Sequence, residues 1–304
     1  MISAYKAKSV TQTLARGIMT LVKTSESPRT DAQLILAFCL LRDREWLIAH
    51  GETFISKAHS EKFETLCELR ATGVPVAYIL GSAWFCGREF SVNDKVLIPR
   101  PETERLVEDA IAHLRERINP SLPKALLTAL DIGIGSGAIA CTIAAEVPQV
   151  VVEGTEKSAN ALKVAEHNAR RLNVFSRCKF MLGDLTSPLG ARHYDAVIAN
   201  LPYVPSGDIA QAPDPVSFEP RIALDGGIDG LDLYRRLLPA LPAFLKPGAL
   251  VLLEAAPPTM PGLQSLAQSA FAHSAMSVIR DYSGRDRYLR IVTPDSPVYF
   301  DVGE

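Results

Sequence analysis

From about residue 125 onward the chain alternates short β-like runs with helix-like runs, and this alternation constrains the fold more than any other feature. ALLTALDIG, VVVEGT, CKFML, YDAVIAN and ALVLLE read as strands, and residues 138–147, 158–173 and 231–245 between them read as helices. Apolar strands joined by helical crossovers predict a mainly parallel sheet covered by helices on both faces. Near the end, MSVIRDYSGRDRYLRIV reads as two strands around Ser283-Gly284, so the sheet is expected to finish with an antiparallel pair. Neither an internal repeat nor a low-complexity tract interrupts the pattern.

Upstream the pattern is different. Ser27-Pro28-Arg29-Thr30-Asp31 is a helix-start signal, followed by Leu34, Ile35, Ala37, Phe38 and Leu41. Trp46, Leu47 and Ile48 suit a second short helix, and Phe63, Leu66, Cys67, Leu69 and Arg70 a third, stopped by Gly73 and Pro75. In residues 76–98 the runs VAYILG, REFSVN and KVLIP look β-like and are separated by turn residues, which predicts a linking hairpin. Pro99 and Pro101 then precede Glu102 and an amphipathic stretch through Leu106, Val107, Ala110, Ile111 and Leu114. The expected organisation is a helical domain over 1–75, a β-hairpin over 76–98 and an α/β domain over 99–304.

Composition narrows the function. With 32 basic and 34 acidic residues the net charge is −2, which argues against stable binding of nucleic acid through a broad basic field. Apolar residues make up 47% of the 304, enough for a sizeable core. The five cysteines include no C-x-x-C pair and the six histidines no H-x-x-x-H pair, so no metal site is expected. The polar N-terminal stretch and the lack of any apolar run of ~18 residues predict neither a signal peptide nor a membrane span, and a reducing cytoplasm is the expected location.

Four motifs carry the chemistry. Asp131-Ile132-Gly133-Ile134-Gly135-Ser136-Gly137 sits where a strand gives way to a helix, at the edge where open α/β sheets bind ligands. Its glycines permit tight turns and close approach of the backbone to a ligand. The stretch also fits the dinucleotide pattern G-x-G-x-x-A, but the aspartate ahead of G-x-G-x-G fits an S-adenosylmethionine loop better, with Asp131 orienting the methionine ammonium directly or through water. Glu156, ending the next strand, can accept hydrogen bonds from both ribose hydroxyls. Gly183-Asp184-Leu185 after CKFML can offer a carboxylate to an adenine amino group and an apolar side chain to its ring.

The fourth motif, Asn200-Leu201-Pro202-Tyr203, suits methylation of a planar nitrogen. Such a nitrogen has a delocalised lone pair and two N–H donors. The Asn200 side-chain oxygen and the Leu201 carbonyl can accept one each, holding the nitrogen toward an electrophilic methyl. Pro202 keeps Leu201 extended, and Tyr203 can pack on the flat face of the substrate group. The amide of a protein glutamine and the amino group of adenine both meet this description. A fold-retaining binding module without catalysis is the remaining alternative.

Taken together, these residues resemble the HemK/PrmC family, the protein-glutamine methyltransferases that modify peptide-chain release factors. SPRTDAQLILAFCLLRDREWLIAH is similar to that family's helical N-terminal domain. IPRPETE, DIGIGSGAIA, EPRIALDGGIDGLDLYRRL and DYSGRDRYLRI resemble its later segments. The resemblance implies a seven-stranded Rossmann-like class I methyltransferase sheet and S-adenosylmethionine as methyl donor. It also implies the glutamine of a Gly-Gly-Gln loop as substrate. Gly133, Ile134, Gly135, Ser136, Gly137, Glu156, Leu185 and Asn200 would contact the cofactor, with Asp131 and Asp184 beside them. Asn200, Leu201, Pro202 and Tyr203 would hold the glutamine. A monomer acting on a release factor, with no membrane association, is expected. The chain departs from the family at Leu201, where N-P-P-Y has proline, at Glu156, where aspartate is common, and at Glu254-Ala255-Ala256-Pro257, where E-x-G-x-x-Q is usual.

Overall fold

The structure, a computed structural model, describes residues 7–118 and 126–295. Residues 1–6, 119–125 and 296–304 lie outside it, and with them Ala125, the first residue of the run ALLTALDIG. Two compact units emerge, Met1–Ser82 with Ala210–Glu219, and Ala83–Ile209 with Pro220–Glu304.

The first unit contains five helices among its described residues, α1 (Val10–Leu21), α2 (Pro28–Leu40), α3 (Arg44–Ala49), α4 (Lys57–Ala71) and α5 (Val76–Leu80). Local chemistry sets their ends. Ser9 and Gln12 form a reciprocal capping box on α1, while Asp43 and Ser56 cap α3 and α4 through Trp46 N and His59 N. Pro28 opens α2 where its missing N–H costs nothing. Leu21, Ile35, Leu36, Leu47 and Phe63 form the core, and Gly17 lets α1 close on the Phe63 ring of α4. Arg70 Nε donates to Asp31 at 2.8 Å inside the unit.

One expectation here is overturned. VAYILG is a helix, not a strand: Pro75 precedes it and Gly81, at φ 73°, ends it in the left-handed region. A five-residue apolar run carries no period that separates the two readings. The hairpin is correspondingly shorter than 76–98. It consists of β1 (Ser82–Phe85) and β2 (Arg88–Ser91), joined by Cys86 and Gly87, both at positive φ as a two-residue hairpin turn requires. KVLIP forms no strand. Trp84 on the hairpin is exposed.

In the second unit a short 3-10 turn, Pro101–Thr103, leads into α6 (Glu104–Glu116). There follow β3 (Leu127–Ile132), α7 (Ala138–Glu146), β4 (Val150–Glu156), α8 (Ala159–Arg171), β5 (Cys178–Leu182), β6 (Tyr194–Ala199), α9 (Asp232–Leu237), β7 (Leu245–Glu254), α10 (Met260–Ala270), β8 (Ala275–Arg280) and β9 (Asp286–Val292). The helix expected over 231–245 stops at Leu237 and gives way to a 3-10 turn, Leu241–Phe244. Pro239 and Pro242 lack the amide donors that a continuous helix needs.

Seven strands form one sheet in the order β5-β4-β3-β6-β7-β9-β8. The first five are parallel to one another, and β9 runs antiparallel to both β7 and β8. Apolar layers cover both faces, one including Val107, Ile139 and Val152, the other Leu130, Val197, Tyr234 and Leu263. The chain winds outward from β3 to β4 and β5, then returns to place β6 on the other side of β3. That reversal opens a crevice at the carboxyl ends of β3 and β6, the position where open α/β sheets bind ligands. Among the described residues no helix is long and apolar enough to cross a membrane.

Candidate active site

The loop after β3 turns through Gly133, Gly135 and Gly137, all at positive φ (79°, 56° and 80°). Gly137 also tolerates nothing larger for packing, since a Cβ there would lie 3.1 Å from the Ala165 backbone of α8. The amides of Gly133 and Ile134 donate to the Thr155 carbonyl of β4 at 2.9 and 3.2 Å, which pins the loop to the sheet. Glu156 braces its far side. One carboxylate oxygen accepts from Gly135 N at 2.9 Å and the other from Ser158 N at 2.8 Å.

Asp131 lies beneath this loop and is fully buried. Its Oδ2 accepts from Ala140 N in α7 at 3.1 Å, while Oδ1 has no hydrogen-bond partner. Burial pushes its carboxyl up to about 7 against the opposing Ala140 amide, with the Glu156 charge adding to the rise. An incoming ammonium, or a water in front of it, would satisfy the orphaned oxygen.

A cavity of about 530 Å³ opens above the crevice, within the range of small-molecule sites. The residues from Gly133 to Ser136, Glu156, Asp184, Leu185 and those from Asn200 to Pro202 line it; Asp131, Gly137 and Tyr203 are not among its lining residues. A glycine cradle, a carboxylate on the rim and an orphaned buried oxygen below fit a ligand carrying an amino acid and a ribose. Asp184 is already engaged, with Oδ2 paired to Arg236 at 2.7 Å and Lys157 at 3.6 Å. The Arg236 side chain holds its carboxyl below the usual range. Residues 95–97, expected as part of a strand, instead line the cavity, as do Arg100 and Thr103.

Asn200 follows β6, whose residues are all buried. Its amide Nδ2 donates to Thr103 Oγ1 at 3.2 Å. Tyr203, three residues on, donates to Glu254 Oε1 at the end of β7, at 3.2 Å. Burial pushes the Glu254 carboxyl up to about 7, opposed by the Thr103 hydroxyl, the Arg287 charge and the Tyr203 hydroxyl. Arg287 is buried and pairs with Asp281 at 3.1 Å.

The motif's backbone is held by the segment that follows it. Val204 N donates to Leu224 O at 3.0 Å, Gly226 N to Val204 O at 2.8 Å and Ser206 N to Gly227 O at 2.8 Å. This pairing draws the loop from Gly226 to Gly230 against the motif. A Cβ on Gly230, itself at φ 78°, would sit 2.3 Å from the Tyr203 carbonyl oxygen. Thr103, Glu254, Gly226 and Gly230 lie outside the four motifs that carry the chemistry. The strings IPRPETE and EPRIALDGGIDG contain three of them but do not disclose their partners.

Fold and site together define an S-adenosylmethionine-dependent methyltransferase of the Rossmann-like class. Residues 12–81 match the PrmC N-terminal domain and residues 107–212 the methyltransferase small domain. The release factor glutamine methyltransferase of Moorella thermoacetica is 38% identical over 262 residues, 86% of this chain and 90% of that protein. That of Bordetella pertussis is 40% identical over 228 residues, 75% of this chain and 81% of that protein. A crystal structure of a release-factor-specific protein-(glutamine-N5) methyltransferase from Alicyclobacillus acidocaldarius is 26% identical, with a TM-score of 0.40 over 67% of this chain and 99% of that one. The chain belongs to the release factor glutamine methyltransferase family.

Proposed function

We propose that this chain, acting as a cytoplasmic monomer, methylates the side-chain amide nitrogen of the glutamine in the Gly-Gly-Gln loop of a peptide-chain release factor. One observation carries the reading: the glycine loop with Glu156 and the Asn200-Leu201-Pro202 turn line a single cavity at the switch point of the sheet. S-adenosylmethionine, when bound, supplies a methyl group on a sulfonium centre. The Gly133–Ser136 backbone and Glu156 would bind and orient this donor, with Asp131 beneath. Asn200 Oδ1 and the Leu201 carbonyl would each accept one N–H of the glutamine amide. This presents its nitrogen face to the methyl group and favours a localised lone pair. Orientation and preorganised dipoles of this kind supply catalysis without a strong base. The proton leaves nitrogen after transfer.

Incubating the protein with a purified release factor, RNA and methyl-labelled donor tests the proposal. Label on the Gly-Gly-Gln glutamine, located by mass spectrometry, is the expected result. Label confined to RNA would overturn it.

A further inference from the structure

Two of the four motif residues converge on one buried carboxylate. Tyr203 Oη donates to Glu254 Oε1, and Asn200 Nδ2 donates to Thr103 Oγ1, each at 3.2 Å. The Thr103 hydroxyl faces the same carboxylate and favours its ionised form. Glu254 is fully buried, Thr103 almost so, and Glu254 Oε2 has no hydrogen-bond partner. The other groups facing this carboxylate are Arg287 from β9, Glu102 from the turn before α6 and Tyr234 from α9.

The direction of these hydrogen bonds follows from donor and acceptor capacity. An ionised carboxylate only accepts, whereas a threonine hydroxyl has one proton to give. With that proton aimed at Glu254, the Thr103 oxygen is left as an acceptor. The Asn200 amide must then turn its NH2 toward Thr103, which leaves Oδ1 as the polar group offered to the substrate. Without this constraint the two ends of the carboxamide are nearly equivalent in shape, and the flipped form would present a donor to a donor.

We propose that Thr103 and Glu254 are positioning residues for methyl transfer: the buried carboxylate sets the polarity of the Thr103 hydroxyl, and the hydroxyl locks the Asn200 carboxamide with its oxygen toward the substrate nitrogen. The inference rests on the reading of Asn200 as the substrate's acceptor. It assigns Thr103 a role in kcat with no direct contact to the reacting atoms. Protonation of Glu254 removes the acceptor-only partner, so kcat falls as pH drops below about 7.

Thr103→Val removes the hydroxyl at nearly constant shape, and Thr103→Ser restores it. The valine variant is expected to lose roughly 10- to 100-fold in kcat, the scale on which a misoriented catalytic group costs rate. Its affinity for S-adenosylmethionine, measured by calorimetry, should stay at the wild-type value, and serine should recover most of the lost turnover. Glu254→Gln, which can both donate and accept, should lose the acid limb of the kcat profile. Equal impairment by valine and serine, wild-type kcat in the valine variant, or an acid limb that persists in Glu254→Gln would each overturn the proposal.

A second readout is independent of turnover. The side-chain NH2 signals of Asn200, assigned by their loss in Asn200→Ala, should show one slowly exchanging proton in the wild-type and serine proteins. In the valine protein both protons should exchange fast; unchanged slow exchange there would refute the clamp. Wild-type protein that leaves a release-factor glutamine unmethylated would remove the functional reading, while this exchange comparison would still decide the clamp.

Discussion

Replacing Glu156 by glutamine separates a ribose-binding carboxylate from a merely solvated one at a strand end. In the structure the carboxylate accepts two backbone donors, Gly135 N at 2.9 Å and Ser158 N at 2.8 Å. Hydrogen bonds to a charged group contribute about 1.5–3 kcal/mol each, and neutral ones about 1. Glutamine keeps one acceptor oxygen, so one bond weakens and the other amide meets an NH2. The site is half-buried, so water replaces part of what is lost. The net cost to folding should be about 1–2 kcal/mol, which chemical denaturation would read. Toward the cavity, glutamine forfeits one of two acceptors for the ribose hydroxyls. That loss is worth about 1.4 kcal/mol, a tenfold rise in Kd for S-adenosylmethionine, and a loosened Gly135 adds to it. Calorimetric titration of the folded variant provides the assay. A wild-type Kd in a protein of intact fold would refute the assignment of Glu156 to the ribose.

Asn200→Ala should abolish measurable methyl transfer while leaving the thermal transition near wild type, because its amide donates to the Thr103 hydroxyl and its acceptor oxygen would be the group the chemistry needs; turnover near wild type would sink the mechanism. Gly230→Ala forces a Cβ to 2.3 Å from the Tyr203 carbonyl at φ 78°. It should cost about 2–4 kcal/mol in urea denaturation, combining left-handed strain with overpacking, and should lower kcat by displacing the motif. Asp131→Asn should flatten the pH dependence of stability. The wild-type carboxyl is raised from 3.8 to about 7 in the folded state. Its stabilising contribution is therefore complete below pH about 4 and is lost as pH climbs to about 7, a change of order 4 kcal/mol at 1.36 kcal/mol per unit. Urea midpoints across that range would show the same slope in both proteins if the burial argument fails.

The sheet could be read because physics writes it locally. Strands β4 and β6 are largely buried on both faces, so VVVEGT and YDAVIAN are mainly apolar runs, interrupted by Glu153 and Asp195, and the Gly133–Gly137 loop needs left-handed backbone at three positions. Short elements carried less information. VAYILG has no period long enough to distinguish helix from strand, and the strand Ser82–Phe85 was hidden inside a run ending in Cys86-Gly87. The supporting side chains of the site could not be read at all. Asn200 and Thr103 are 97 residues apart, and Tyr203 and Glu254 are 51 apart. Nothing local to Glu254 announces a partner, since β7 is a buried apolar strand whose last residue is a carboxylate. Only the return of the chain to β6 and β7 beside β3 makes these pairs neighbours.

That geometry also explains how leucine can stand at position 201. In the proposed mechanism the position would have two duties, to present a backbone carbonyl and to hold the turn rigid. The first is indifferent to the side chain. For the second, Pro202 confines Leu201 to extended backbone from the following position. The Leu201 side chain adds a constraint that a ring would not supply in the same way: it is buried, and its Cδ2 would lie 3.1 Å from a Cβ built on Gly133. Gly133 and the Leu201 side chain therefore pack directly on each other. A side chain at 133 would press on the far end of the Leu201 side chain. Glycine at 133 is thus favoured by the Leu201 contact as well as by its own φ of 79°.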